Sequence, residues 1–142
     1  QLMASIEKGK AFYAGPIANC VSCHGPNQLG DGEVTDYDDW VKDYADAWIK
    51  ETVEEKKARL LAQMQRRGSL EPTNIIPRNL RTGVFRGGDR PEDLYRRIQN
   101  GIDGTPMPSA MMKKPGQDVG LAPDDVWHLV NFIQSLSGAS SQ

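Results

Sequence analysis

The stretch Cys20-Val21-Ser22-Cys23-His24, followed directly by Gly25, contains both cysteines and one of the two histidines of this 142-residue chain. One turn of backbone can present two thiols three positions apart together with the imidazole that follows the second. This spacing is typical of covalent haem attachment, in which the thiols bond to the vinyl groups and the imidazole binds the iron. The stretch therefore predicts one haem site, around which the rest of the chain is organised.

Three other interpretations of the two cysteines are weaker. A thioredoxin-like dithiol sits at a helix start after a buried strand, and no Val/Ile-rich run precedes Cys20. A structural zinc site needs four ligands, whereas the one other Cys or His in the chain is the distant His128. A disulfide between Cys20 and Cys23 would close a short, strained loop and leave His24 without a role.

Composition restricts the domain count, the partners and the compartment. A chain of 142 residues suits a single domain over 1–142. Because the hydrophobic fraction is a modest 38%, we expect a cofactor to fill part of the core. The net charge of −2 argues against nucleic acid or an anionic membrane as a partner. No apolar run reaches the roughly 20 residues of a membrane span. Covalent haem attachment implies a periplasmic or otherwise extracytoplasmic protein, either free or tethered through a segment outside this sequence.

Helical patterns occupy both ends of the chain. The first predicted helix runs over 4–13, and the last begins at Pro123 and ends before Gly138. A glycine inside a helix costs about 1 kcal/mol relative to alanine, so Gly9 predicts that a second helix packs closely there. We expect the first and last helices to cross at Gly9, with Tyr13 against Leu129 and Phe132.

Two residues of the last helix flank its apolar face. We interpret Trp127 as an anchor of the core, because large aromatic side chains are usually buried. His128 points away from the centre of the apolar face and is interpreted as a surface residue, not as an iron ligand.

The middle of the chain is less regular. An acidic start at 36–39 and an apolar stripe from Trp40 to Met64 predict a helical insertion at about 33–76, as one long helix or two shorter ones. The segment from Pro77 to Leu80 is predicted to be extended. A further helix begins near Asp89 and stops at Asn100-Gly101.

A haem bound by one histidine has an open sixth position, and a thioether is a soft ligand that favours reduced iron. Met107 lies between Pro106 and Pro108 in the loop after a helix stop. Because proline restricts the backbone, the loop loses little conformational entropy when it presents the sulfur to the iron. We therefore expect Met107 to be the second axial ligand. The other methionines rank lower: Met111 and Met112 come next, then Met64 as a core residue and Met3 at a frayed terminus.

Several of these motifs together resemble the class I monohaem cytochromes c, and most closely their bacterial members. The resemblance rests on Gly9 and Tyr13, the Cys-x-x-Cys-His motif, a Pro-Met-Pro loop and a final helix with Trp and Phe. The motifs shared with bacterial members are Cys23-His24-Gly25, Gly30-Asp31-Gly32, Pro77 to Leu80, Gly83 to Arg86 and Asp93 to Pro108.

The resemblance implies an all-α cytochrome c fold, with helices packed around one covalently attached haem c and the insertion at 33–76 added to it. It makes Cys20 and Cys23 the thioether attachments and His24 and Met107 the axial ligands. Pro77 or Arg78 would supply the carbonyl that orients His24. Leu80 and Phe85 would line the haem, and Arg78, Arg81 or Arg86 would pair a propionate.

The resemblance implies single-electron transfer between redox partner proteins in a respiratory or other periplasmic chain, and no enzyme activity. Two alternatives remain. In the first, the chain is the haem c domain of a larger oxidase or dehydrogenase. In the second, it is a haem sensor or enzyme whose iron binds CO, NO or peroxide at the sixth position.

Overall fold

The computed structural model of the chain describes residues 1–32, 42–71 and 74–138, and these form an all-α protein. In the described part of the chain there is no strand, and one isolated parallel bridge joins Met112 and Leu121. This confirms the predicted all-α fold class. Over these described residues the α-helices are α1 (Leu2–Ala14), α2 (Val21–His24), α3 (Lys42–Lys50), α4 (Glu54–Arg66), α5 (Pro91–Asn100) and α6 (Pro123–Gly138), with a 3-10 turn at Leu80–Thr82.

The chain divides into two compact units. The first consists of Gln1–Val34, Ile76–Ile102 and Met107–Gln142, and it contains α1, α2, α5 and α6. The second consists of Thr35–Ile75 and Asp103–Pro106, and it contains α3 and α4.

Helices α1 and α6 cross at Gly9, as the sequence predicts. A Cβ atom at Gly9 would fall on the backbone carbonyl of His128 and lie 2.8 Å from the Cβ of Phe132. The Tyr13 ring packs on Phe132 at a centroid distance of 5.4 Å. Only a glycine permits this approach, because the neighbour that its side chain would meet is backbone rather than a movable side-chain tip.

Gly9→Val should therefore overpack the crossing of α1 and α6. We expect the free energy of unfolding to fall by about 1–3 kcal/mol, measured by chemical denaturation of the haem-loaded protein. Ala11→Val is the matched control, since Ala11 is exposed on the same helix and the change adds the same β-branched side chain. Equal denaturation midpoints for the two variants would contradict the close crossing.

The core of the first unit lies mainly along α6. Buried side chains of this helix meet Tyr13 from α1, Leu94 and Ile98 from α5, and Leu80 and Leu121 from the connecting segments. The helix begins at Pro123, and the Asp125 carboxylate accepts a hydrogen bond from the Ala122 amide at 2.8 Å, which satisfies a free donor at the helix start. The buried residues of α6 are Val126, Leu129, Val130, Phe132, Ile133 and Leu136.

The prediction for Trp127 in α6 is wrong, and the prediction for His128 is incomplete. Trp127 is not a core anchor: its side chain is 40% exposed and stacks on Tyr95 of α5 with ring centroids 4.6 Å apart. His128 is half-buried, and its Nδ1 is hydrogen-bonded to the Ser5 hydroxyl at 2.6 Å. Asn131 donates to the same Ser5 oxygen at 2.8 Å, so three polar groups join α1 to α6 beside the Gly9 crossing.

The second unit contains the two shorter helices that the sequence allowed in place of one long one. Lys57 of α4 lies over the Trp48 ring of α3 at 4.6 Å, and Ala45 and Met64 are buried. The burial of Met64 confirms its assignment to a core. The predicted acidic helix start at 36–39, with Trp40 and Val41, lies outside the described residues.

Candidate haem site

Helix α2, with Cys20 as its N-cap residue, carries the Cys-x-x-Cys-His motif and is anchored to the core through Tyr13. The helix ends at Gly25, whose amide donates to the Val21 carbonyl at 3.0 Å. The φ of Gly25 is 77°, a value that suits a residue without a Cβ. The Tyr13 hydroxyl donates to the Gly25 carbonyl at 2.6 Å. Burial, followed by the charges of Cys20 and Asp31, raises the pKa of Tyr13, so its hydroxyl keeps the proton that it donates.

The two thiols are unbonded to each other, and one of them is shielded from water. Cys20 is half-buried and Cys23 is exposed. Burial first, and then the nearby Cys23, raise the pKa of Cys20 to about 11. A reactive dithiol needs a depressed thiol pKa, so the structure disfavours the thioredoxin-like interpretation.

His24 is held by a backbone carbonyl from far along the chain. Its Nδ1 donates to the Arg78 carbonyl at 2.9 Å, so of the two carbonyls that the sequence proposed it is Arg78, and not Pro77, that meets the ring. A carbonyl can only accept, which assigns the proton to Nδ1 and leaves the lone pair on Nε2. Burial lowers the pKa of His24, although the Arg78 bond opposes this shift, and the neutral ring is the form that binds a metal.

The loop after His24 folds back over the motif helix. The Gly30 amide donates to the His24 carbonyl at 2.9 Å, and the Gly32 amide donates to the Cys23 carbonyl at 3.1 Å. A Cβ atom at Gly30 would collide with the Pro77 carbonyl, so the loop and the 77–78 segment are in direct contact. The turn that the sequence predicted at Gly30-Asp31-Gly32 thus brings the histidine to its orienting carbonyl.

The other predicted haem neighbours lie in the same unit. Leu80 is buried in the core cluster, and Phe85 is half-buried and packs against it. Pro77 is half-buried next to Gly30. Of the arginines proposed to pair a propionate, Arg81 binds two groups of the 27–28 loop, with its Nε 2.6 Å from the Asn27 carbonyl and its Nη2 3.0 Å from the Gln28 side-chain oxygen.

The Met107 segment is fixed against the end of α5. The Ile102 amide donates to the Met107 carbonyl at 3.1 Å. A Cβ atom at Gly101 would lie 2.8 Å from the Met107 carbonyl oxygen, 2.7 Å from the Pro108 carbonyl carbon and 2.6 Å from the Ser109 amide nitrogen. Gly101 has a φ of 72° and therefore does two things, ending the helix and admitting this segment. The sequence identified the first role only.

The methionines that the sequence ranked as possible ligands differ in burial. Met107 is half-buried, Met111 is 58% exposed, and Met112 is half-buried against the core. Met3 is exposed in the first turn of α1.

These groups fit a covalently bound haem. Helix α2 offers two thiols and a neutral imidazole whose Nε2 is left for iron by the bond to Arg78. Within the described residues, no three His, Cys, Asp or Glu side chains are grouped to hold a metal ion, so a structural zinc site has no donor set there. The fold and the site together define a helical protein that holds one haem through a Cys-x-x-Cys-His motif.

The chain belongs to the cytochrome c family, whose model, described as "Cytochrome c", matches residues 6–137. It accordingly carries haem c, attached covalently through Cys20 and Cys23, and this cofactor is the electron-transfer group of the family. Bacterial members of this family are typically extracytoplasmic. Among the described residues, every helix is too short or too polar to cross a bilayer.

The chain is also similar to a solved structure, a chain of the Kuenenia stuttgartiensis reducing HAO-like protein complex. The similarity has 27% sequence identity and a TM-score of 0.60, and it covers 94% of this chain. It covers 44% of the Kuenenia chain, so this sequence spans less than half the length of that relative. Comparison with the curated proteins finds no match.

Proposed function

We propose that this protein carries single electrons on one haem c whose axial ligands are His24 and Met107, and that it does no chemistry on a substrate at the iron. The observation that carries the proposal is the 2.9 Å bond from His24 Nδ1 to the Arg78 carbonyl. This bond fixes the ring and makes its other nitrogen a stronger ligand. An electron carrier needs such fixed ligands, because little rearrangement should accompany a change in iron charge.

The proposal assigns each residue one role toward the haem, which supplies the one-electron change when bound. Cys20 and Cys23 hold the group covalently, and His24 binds one side of the iron. Met107 offers a neutral sulfur that stabilises the reduced state and raises the potential. Leu80 and Phe85 exclude water from the haem face, which also favours the less charged state.

A redox titration of the haem-loaded protein tests the proposed single-electron role. The visible spectrum should change reversibly with potential along a one-electron curve with one midpoint, because there is one Cys-x-x-Cys-His motif in the chain. Two midpoints, or a spectrum that does not return after one cycle, would contradict a single carrier haem.

A second candidate is that this chain acts as an electron-feeding domain of a larger redox assembly. It is favoured by the match of 94% of this chain to 44% of one from a reducing HAO-like complex. Size measurement of the protein purified from its native source tests this candidate. A mass well above that of the 142-residue chain with one haem would support it, and a free monomer would contradict it.

The proposed compartment is the periplasm or its equivalent, with the protein either free or tethered through a segment outside this sequence. Its donor and acceptor are redox proteins of a respiratory or related chain. Nucleic acid is not expected among the partners, because the net charge of −2 provides no excess of positive charge.

A further inference from the structure

We propose that Arg81 is a positioning residue that sets how strongly His24 is bound to its orienting carbonyl, and thereby tunes the haem potential. This role rests on the proposed ligation by His24. It differs from the propionate pairing that the sequence suggested for Arg81.

The argument begins with the way in which the loop after His24 is joined to the 77–82 segment. The Leu80 amide donates to the Gln28 carbonyl at 2.9 Å, and Gly30 contacts the Pro77 carbonyl. We call the contact between the loop after His24 and the 77–82 segment the seam. The 2.9 Å bond from His24 Nδ1 to the Arg78 carbonyl also crosses this seam. The orienting bond therefore depends on how firmly these two segments are held together.

Arg81 is the side chain that ties this seam. Its Nε donates to the Asn27 carbonyl at 2.6 Å, and its Nη2 donates to the Gln28 side-chain oxygen at 3.0 Å. A planar guanidinium can donate in two directions at fixed geometry, which a lysine ammonium cannot reproduce. The backbone of Arg81 is fixed as well, because its amide donates to the Asn79 side chain at 3.0 Å.

Gln28 is built to receive this contact. It is buried, with 7% of its surface exposed, and its side-chain nitrogen donates to the Pro26 carbonyl at 2.6 Å. Its backbone has a φ of 59°, a conformation that non-glycine residues adopt only when their surroundings hold them there. Within its own loop Gln28 is held by the Gly25 and Pro26 carbonyls. Across the seam it is held by the Leu80 amide and the Arg81 guanidinium.

The consequence for the haem follows from the Arg78 bond. A histidine that donates from Nδ1 is a more basic ligand, which favours oxidised iron and lowers the potential. Removal of Arg81 would loosen the seam, weaken that donation and raise the potential. The same loosening would expose the Nδ1 proton to solvent more often.

The test is hydrogen exchange of the His24 Nδ1 proton, measured by NMR on the reduced haem-loaded protein, together with a redox titration. In Arg81→Gln the proton should exchange on the order of tenfold faster, as expected when a charged hydrogen bond is lost, and the midpoint potential should rise. Arg81→Lys should give an intermediate exchange rate. Gln28→Met removes the partner of Arg81 and should also accelerate exchange. Gln28→Met therefore provides a second variant for the same test if Arg81→Gln fails to take up haem.

Arg86→Gln is the matched control, because Arg86 is exposed on the same segment and has no hydrogen bond or ion pair within the described residues. Exchange rates and potentials in Arg81→Gln and Gln28→Met equal to those of Arg86→Gln would overturn the proposal. So would an unchanged exchange rate with an altered pH dependence of the potential, since that pattern indicates propionate pairing. A paramagnetic spectrum of the unmutated reduced protein would overturn the proposed ligation itself, and this role with it.

Discussion

Met107→Ala should abolish the weak near-infrared absorption of the oxidised protein, allow the reduced protein to bind CO and lower the midpoint potential. The near-infrared band arises from charge transfer between a ligand sulfur and ferric iron, so it disappears when the sulfur is removed. The sixth position then becomes available to small ligands. The potential falls because a thioether stabilises reduced iron.

Met111→Ala is the matched control for this change. Met111 lies four positions further along, and its side chain is 58% exposed. We expect this variant to keep the near-infrared band, the potential and the resistance to CO. If the band persists in Met107→Ala and disappears in Met111→Ala or Met112→Ala, the assignment of the sixth ligand to Met107 is wrong.

Gly101→Ala should displace Met107 without changing any ligand. The new methyl group would approach the Met107 carbonyl oxygen to 2.8 Å and the Ser109 amide to 2.6 Å, so the segment has to move. We expect the near-infrared band to weaken and part of the reduced protein to bind CO. The overpacking should also lower the free energy of unfolding by about 1–3 kcal/mol.

Gly116→Ala is the control for a side chain that is added at positive φ without any new contact. Gly116 has a φ of 79°, close to the 72° of Gly101, but a Cβ atom there meets no heavy atom within 4 Å. This control should leave the near-infrared band unchanged. Its stability need not match that of Gly101→Ala, because Gly101 has a ψ of −167° in addition to its positive φ, a combination that only glycine adopts readily. If the two variants have the same near-infrared band and the same resistance to CO, the spacing role of Gly101 is refuted.

The sequence predicted those features of the fold and the site that depend on neighbouring residues or on the absence of a side chain at a glycine. The Cys-x-x-Cys-His spacing predicted the haem, and the cost of a glycine within a helix predicted the crossing at Gly9. The helix stop at Asn100-Gly101 was also found, because a glycine with positive φ ends helices in many settings. Each of these features carries its physical reason within a few neighbouring residues.

The failures occur where burial or pairing depends on a distant part of the chain. Helical spacing places Trp127 next to the apolar face of α6, but only the packing of α5 shows that it stacks on Tyr95. His128 is engaged because the Gly9 crossing brings Ser5, one turn earlier, to its ring. The contacts of Arg81 with Asn27 and Gln28 join residues more than fifty positions apart, and no local pattern indicates them.

The most direct test of the central claim is CO binding by the unmutated, reduced, haem-loaded protein at neutral pH. An electron carrier with His24 and Met107 both bound to iron has no vacant position, so its visible spectrum should not change when CO is added. Rapid formation of a CO adduct would contradict this account and would favour a haem sensor or enzyme whose sixth position is open.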